Sequence, residues 1–319
     1  MVTLFNVETI YVLMKKLLLI PAILITFSSC SDSELGQAPT PENYTEMVDE
    51  WKQSRVETLK EPTGWLRLAG MLWLEEGENS FGSGEEADIR FPEGTMPHTA
   101  GTFTYEDGIV TMRASEGVVI TYEGEPVQEF VLDDGDETPV LEKGPIHFYV
   151  ITRDDLKAIR FYNKDNAQAD AFKGFPAYPV DPEWRRTARF IPNPEGTTIP
   201  IVNVLGQNID APSPGVIEFT LDGRVQKLAA LEGTELMFII VADETNRTET
   251  YQAGRYIYID YPEDGSDDTV IDFNKLYNPP CAYNFFTTCQ LPPMENRLDI
   301  AITAGEKRPV DWVGLDLNP

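Results

Sequence analysis

The side chains best suited to chemistry crowd into residues 272–306 near the end of the chain. Asp272 and Glu306 supply carboxylates, Asn274, Asn278 and Asn296 amides, Tyr277 a phenol, Cys281 and Cys289 thiols, and Arg297 a guanidinium; Arg255 and Tyr256 stand close by in sequence. Two carboxylates are the toolkit of glycoside hydrolysis, where one protonates the leaving group and the other activates water or attacks. Amides and carboxylates among tyrosines equally suit a pocket for a glycan or another polar small molecule. The same residues also describe scaffold, since a buried arginine with acidic partners is commonly a structural ion pair.

Elsewhere the sequence offers little catalytic equipment. Its two histidines, His98 and His147, sit in neither a ligand spacing nor a triad order, and the nucleophile-elbow, metalloprotease, phosphate-loop and dinucleotide fingerprints do not occur. No metal or cofactor is expected. Binding therefore stands narrowly ahead of scaffold, because tyrosine and asparagine are denser here than a corner of a sheet requires. A carboxylate hydrolase working through Asp272 or Glu306 comes last.

Charge and the amino terminus speak to location. Lys and Arg total 25 against 53 Asp and Glu, a formal charge of −28. Nucleic acid is excluded as a partner, because phosphate binding needs a concentrated positive surface. The segment "MKKLLLIPAILITFSSC" from Met14 has two lysines, a short apolar run and small residues ending at Cys30, the order of a secretory signal. Its end resembles a bacterial lipobox, which implies a lipoprotein signal over residues 1–30 translated from Met14, cleavage just before Cys30, and acylation of Cys30 as residue one of the mature protein. The expected setting is a Gram-negative cell envelope, periplasmic or surface-exposed, with the membrane reached through the lipid. "CSDSELGQ" resembles an acidic surface-export signal.

In that oxidising setting Cys281 and Cys289 are expected to form a disulfide, contributing about 2.5 kcal/mol for so short a loop. A thiol nucleophile or a metal pair is the alternative, without an accompanying histidine.

The elements that must position these groups are mostly strands. After a polar tether over 31–41, Tyr44, Val48, Trp51, Val56 and Leu59 recur at helical spacing and predict one amphipathic helix. "GWLRLAGMLWLEEGENSFGS" reads as strand, turn and strand, with Trp65 and Trp73 as core residues. From residue 88 to about 260, short Val-, Ile-, Thr-, Tyr- and Phe-rich runs are joined by "EDG", "EG" and "LDG" turns. Asp222-Gly223 predicts a type I′ hairpin pairing the strands of Phe219 and Val225. A proline-rich stretch with Arg185, Arg186 and Arg189 interrupts the meander. The expectation is a mainly β domain over 42–319, an antiparallel sandwich or barrel with an amino-terminal helix and short extra helices, divisible into two sub-barrels near residue 190.

Gly254-Arg255, Asp272-Phe273-Asn274, Tyr277 to Ala282, Cys289, Leu291 to Pro293, Asn296 to Leu298 and Ala304 to Glu306 together resemble the carboxy-terminal signature of the bacterial domain-of-unknown-function family numbered 1684. "GWLRLAGMLWLEEGENSFGS" and Tyr178-Pro179-Val180-Asp181 are similar to the family too, so the resemblance spans most of 45–306. Tyr256-Ile257 and Gln290 depart from its pattern without removing a polar group. The resemblance implies a family without an assigned activity. An alternative to ligand binding is a structural or assembly role with no small-molecule site.

Overall fold

The structure is a computed structural model that describes residues 35–132, 138–153 and 156–309. Met14, Cys30 and the signal segment lie outside the described residues. The chain divides into two compact units, one formed by residues 59–172 with 284–287, the other by residues 35–58, 173–283 and 288–309.

The first unit is a β-sandwich. Its strands are β1 (Leu68–Trp73), β2 (Gly77–Gly82), β3 (Ile89–Arg90), β4 (Gly101–Glu106), β5 (Ile109–Ala114), β6 (Ile120–Tyr122), β7 (Glu125–Val127), β8 (Glu129–Leu132), β9 (Leu141–Lys143), β10 (Ile146–Arg153) and β11 (Leu156–Asn163). One sheet runs β3-β2-β4-β5-β8, the other β1-β11-β10-β9-β6-β7. Every pairing is antiparallel except β2 with β3. Alternation along the strands sends one face of each inward, and the inner faces meet over Phe81, Phe103, Phe148, Ile159 and Phe161. Phe81 stacks on Phe103 with centroids 4.4 Å apart, and Phe103 meets Phe148 edge-on at 5.9 Å.

The second unit adds β12 (Arg185–Pro192), β13 (Thr198–Val202), β14 (Asn208–Pro212), β15 (Gly215–Leu221), β16 (Arg224–Ala230), β17 (Leu236–Val241), β18 (Arg255–Asp260) and β19 (Asp268–Asp272). A four-stranded sheet β16-β15-β12-β19 and the pairs β13-β14 and β17-β18 are all antiparallel. Their core includes Ile217, Phe219, Ile239, Ile257 and Phe273.

The chain is thus mainly β, built of open antiparallel sheets in a sandwich-like arrangement with few helices. Asp222 (φ 51°) and Gly223 (φ 69°) both take positive φ, and the register Thr220↔Val225, Leu221↔Arg224 is the hairpin expected from the sequence. The helix α1 (Tyr44–Lys60) forms where the periodicity puts it, and α2 (Ala167–Ala171) is a short addition. Two readings need correction. Trp73 is 39% exposed rather than core, because it closes β1 on the outward register. The proline-rich stretch around Arg185, Arg186 and Arg189 is not an interruption: it contains β12, a central strand of its sheet. Pro192 is tolerated there because it ends the strand.

Candidate functional site

Most of the motif residues fall into three hydrogen-bonded sets within the second unit. The first is built on α1. That helix buries Tyr44, Val48, Arg55 and Leu59, so the arginine lies on the apolar stripe. Its Nε donates to Glu306 Oε1 at 2.8 Å and its Nη2 to the Asn278 carbonyl at 3.0 Å. Glu306 Oε2 accepts from the Asn278 backbone N–H at 2.7 Å and from Nδ2 at 3.0 Å. Glu306 is held in place by Gly305, whose φ of 75° and close approach to the Leu276 carbonyl leave no room for a Cβ. Glu306 N donates to that same carbonyl at 2.8 Å.

Aromatic rings wall this set. The Arg55 guanidinium carbon lies 4.4 Å from the Tyr277 centroid and 5.7 Å from that of Phe175, a cation–π arrangement made stronger by burial. Tyr258 stacks on Tyr277 at 6.2 Å, and Tyr256 and Trp51 meet Tyr277 at 5.9 and 6.5 Å. Trp51, Phe175 and Tyr258 are only half-buried. The Tyr256 hydroxyl donates to the Gln290 carbonyl at 2.7 Å. Two polar atoms here are buried with no hydrogen bond of good geometry, Asn278 Oδ1 and the Tyr283 hydroxyl, the second lying close enough to the Arg55 guanidinium to feel its charge. Burial above all raises the Tyr277 and Tyr283 phenols far above their ordinary value, with Arg55 acting against the rise, so both stay protonated.

The second set centres on Arg255, which opens β18. Its Nη2 donates to Asp243 Oδ2 at 2.8 Å and to the Ile302 carbonyl at 3.0 Å, and Nη1 donates to the Ala304 and Glu306 carbonyls. Both side chains of the ion pair are wholly buried. Asp243 Oδ1 in turn accepts from Thr245 N at 2.8 Å. The salt bridge ties β18 to the residues just after β17, and the carbonyl hydrogen bonds tie it to the carboxy-terminal segment.

The third set caps a turn. Asp272 Oδ1 accepts from the Tyr44 hydroxyl at 2.8 Å and from Asn274 N at 3.1 Å, at the start of a short 3₁₀ turn. Asn274 Nδ2 donates to the Tyr44 oxygen and to the Asp181 carbonyl, both at 2.8 Å. Burial, then the Asp272 carboxylate, pushes the Tyr44 phenol far up.

Asp272 and Glu306 therefore stand in separate sets, each engaged by the chain's own donors. Asn296 belongs to none of them: its amide exchanges two hydrogen bonds with the Ala229 backbone, at 2.7 and 2.9 Å, as one more peptide of the ladder would. Arg297 is exposed and, among the described residues, donates only to the Pro292 carbonyl, at 3.4 Å. Cys281 and Cys289 are present as thiols, and each backbone N–H donates to the other's sulfur, at 3.0 and 3.2 Å. Sequence reasoning missed Arg55, Tyr44 and Asp243. Only Arg55 had a signal: a charged residue one turn from Trp51 and Leu59 on the buried stripe.

Residues 170–307 match the family described as protein of unknown function (DUF1684). No curated protein matches the chain. Among solved structures, an uncharacterized protein of Haloarcula marismortui is similar at 28% identity, covering 44% of this chain and 80% of its own, with a TM-score of 0.37. The FhaA FHA domain, solved with the intracellular domain of Rv3910, aligns at 20% identity over 28% of this chain and 96% of its own, with a TM-score of 0.21.

Proposed function

We propose that this chain is a lipoprotein of a Gram-negative cell envelope, acylated at Cys30, whose motif binds a polar small molecule or glycan at the Arg55–Asn278–Glu306 corner. The observation that carries the reading is the pair of buried polar atoms left unpartnered there, Asn278 Oδ1 and the Tyr283 hydroxyl. A buried polar group without a partner costs about 1–3 kcal/mol, which a ligand hydroxyl or amide would offset by donating to Asn278 and bonding Tyr283. The aromatic wall offers apolar faces suited to a sugar ring. By contrast, Asp272 and Asn274 are occupied by internal partners, as is the charge of Arg255, which favours scaffold for those two sets. Catalysis has the least support.

Cys281 and Cys289 form a disulfide in that compartment, on this reading; support comes from the reciprocal N–H···S contacts and the exported setting. Intact mass under non-reducing conditions tests it. The anchor is tested by fractionation: Cys30→Ser should move the protein from the membrane pellet to the soluble fraction, and unchanged pelleting would refute acylation there. The site is tested by a thermal-shift screen against envelope sugars, peptidoglycan fragments and nucleotides. A saturable shift with one class names the ligand, and silence across the whole panel leaves scaffold as the reading.

A further inference from the structure

Four arginines are buried among the described residues, Arg55, Arg67, Arg160 and Arg255. Three of them pair with a carboxylate: Arg55 with Glu306, Arg67 with Asp170 and Arg255 with Asp243. Arg160, on β11 of the first unit, is the exception. It is 1% exposed, yet among the described residues its guanidinium meets no carboxylate. Its Nη2 points at Met71 Sδ across 3.8 Å and at the Phe286 carbonyl across 3.4 Å, and its Nε has no partner. A thioether is a weak acceptor, and one long bond to a carbonyl leaves most of the five guanidinium donors unused.

The surroundings are built rather than accidental. β-Strand alternation turns Ile159 and Phe161 into the sandwich core and Arg160 to the other face of the six-stranded sheet, where the register sets it beside Met71 and Tyr149. Tyr162 is two residues along the same face; its ring stacks on Tyr149 at 5.9 Å, with the two hydroxyls 3.3 Å apart. Burial raises the Tyr162 phenol, and the charge of Arg160 acts against that rise. The half-buried Trp65 ring lies 6.0 Å from the guanidinium carbon.

We infer that this face of the first unit is a second binding site, for an organic monocarboxylate whose head group pairs with Arg160 and whose body lies against Trp65 and the Tyr149–Tyr162 stack. One guanidinium fork matches one carboxylate in two parallel hydrogen bonds. A phosphate dianion would ask for more donors and more charge than one arginine and two phenols provide. In a chain of net charge −28, a buried cation with no counter-charge among the described residues is an unusual thing to keep. A ligand supplies what Glu306, Asp170 and Asp243 supply to the other three arginines.

The test titrates the full-length chain with acetate, hexanoate, benzoate and indoleacetate, with benzamide and inorganic phosphate as controls. The readouts are tryptophan fluorescence and the thermal midpoint. At least one monocarboxylate should give saturable changes in both, with benzamide and phosphate silent. Its dissociation constant should rise roughly tenfold to a hundredfold in Arg160→Lys, which keeps the charge and loses the fork, and binding should vanish in Arg160→Met. If Arg160→Met does not fold, the lysine variant decides alone. No response to any carboxylate, equal affinity in wild type and variants, or an equal response to benzamide would each overturn the inference.

Discussion

Arg55 Nε donates to Glu306 Oε1 over 2.8 Å, joining two buried residues 251 positions apart in the chain. The contact ties α1 to the carboxy-terminal strap, and it places a cation between the rings of Tyr277 and Phe175.

Glu306→Gln should be severely destabilising. It leaves the Arg55 guanidinium buried without a counter-charge, a change that costs about 3–5 kcal/mol. The double variant Arg55→Met with Glu306→Gln should be less unstable than the sum of the singles, because both charges are then gone. Urea unfolding of the four proteins measures this, and strict additivity would contradict the pairing.

Tyr44→Phe should cost about 1.5–3 kcal/mol, the value of a hydrogen bond to a charged group. The hydroxyl it removes donates to Asp272 and accepts from Asn274. Denaturant midpoints at constant slope provide the check.

Gly305→Ala should destabilise by at least about 1–3 kcal/mol from its positive φ alone, with more from the clash against the Leu276 carbonyl. Gly223→Ala, also at positive φ but with open space around it, should cost less. A larger loss at residue 223 than at 305 would contradict the role given to the Gly305 approach.

Stability should fall as the medium is acidified through the histidine range. Burial lowers the His147 imidazole below its ordinary 6.5, with Glu142 opposing and Lys164 adding to the shift. The folded pKa is thus below the unfolded one, so the unfolded chain takes up the proton first. The contribution is fully present above 6.5 and is lost as pH drops through that value towards the folded pKa. Thermal midpoints of wild type and His147→Gln, scanned from about pH 7.5 to about pH 5, should diverge, with the wild type falling more steeply.

The fold was legible where local chemistry decides it. Asp222-Gly223 dictates its turn because few residue pairs accept two positive φ angles in succession, and α1 announces itself through Tyr44, Val48 and Leu59. β12 was hidden because Arg185, Arg186 and Arg189 read as polar interruption, while their partners, β15 and β19, come from far along the chain. The site was half legible. The motif named Asn278, Tyr277 and Glu306, whereas their cation, Arg55, comes from a helix more than two hundred residues earlier. Long-range pairing of this kind leaves no periodic trace. Arg297 misled for the opposite reason: adjacent to buried Asn296, it alternates out to solvent.

On the proposed reading the Tyr283 hydroxyl serves a ligand and not the fold, and Tyr283→Phe tests this with two readouts on one sample. Buried without a hydrogen bond, that hydroxyl should be removable with no loss of stability and a gain of up to about 1–3 kcal/mol, while affinity for the ligand found by the screen falls roughly tenfold. A variant that unfolds early and binds as tightly as the wild type would contradict the claim and return the corner to scaffold.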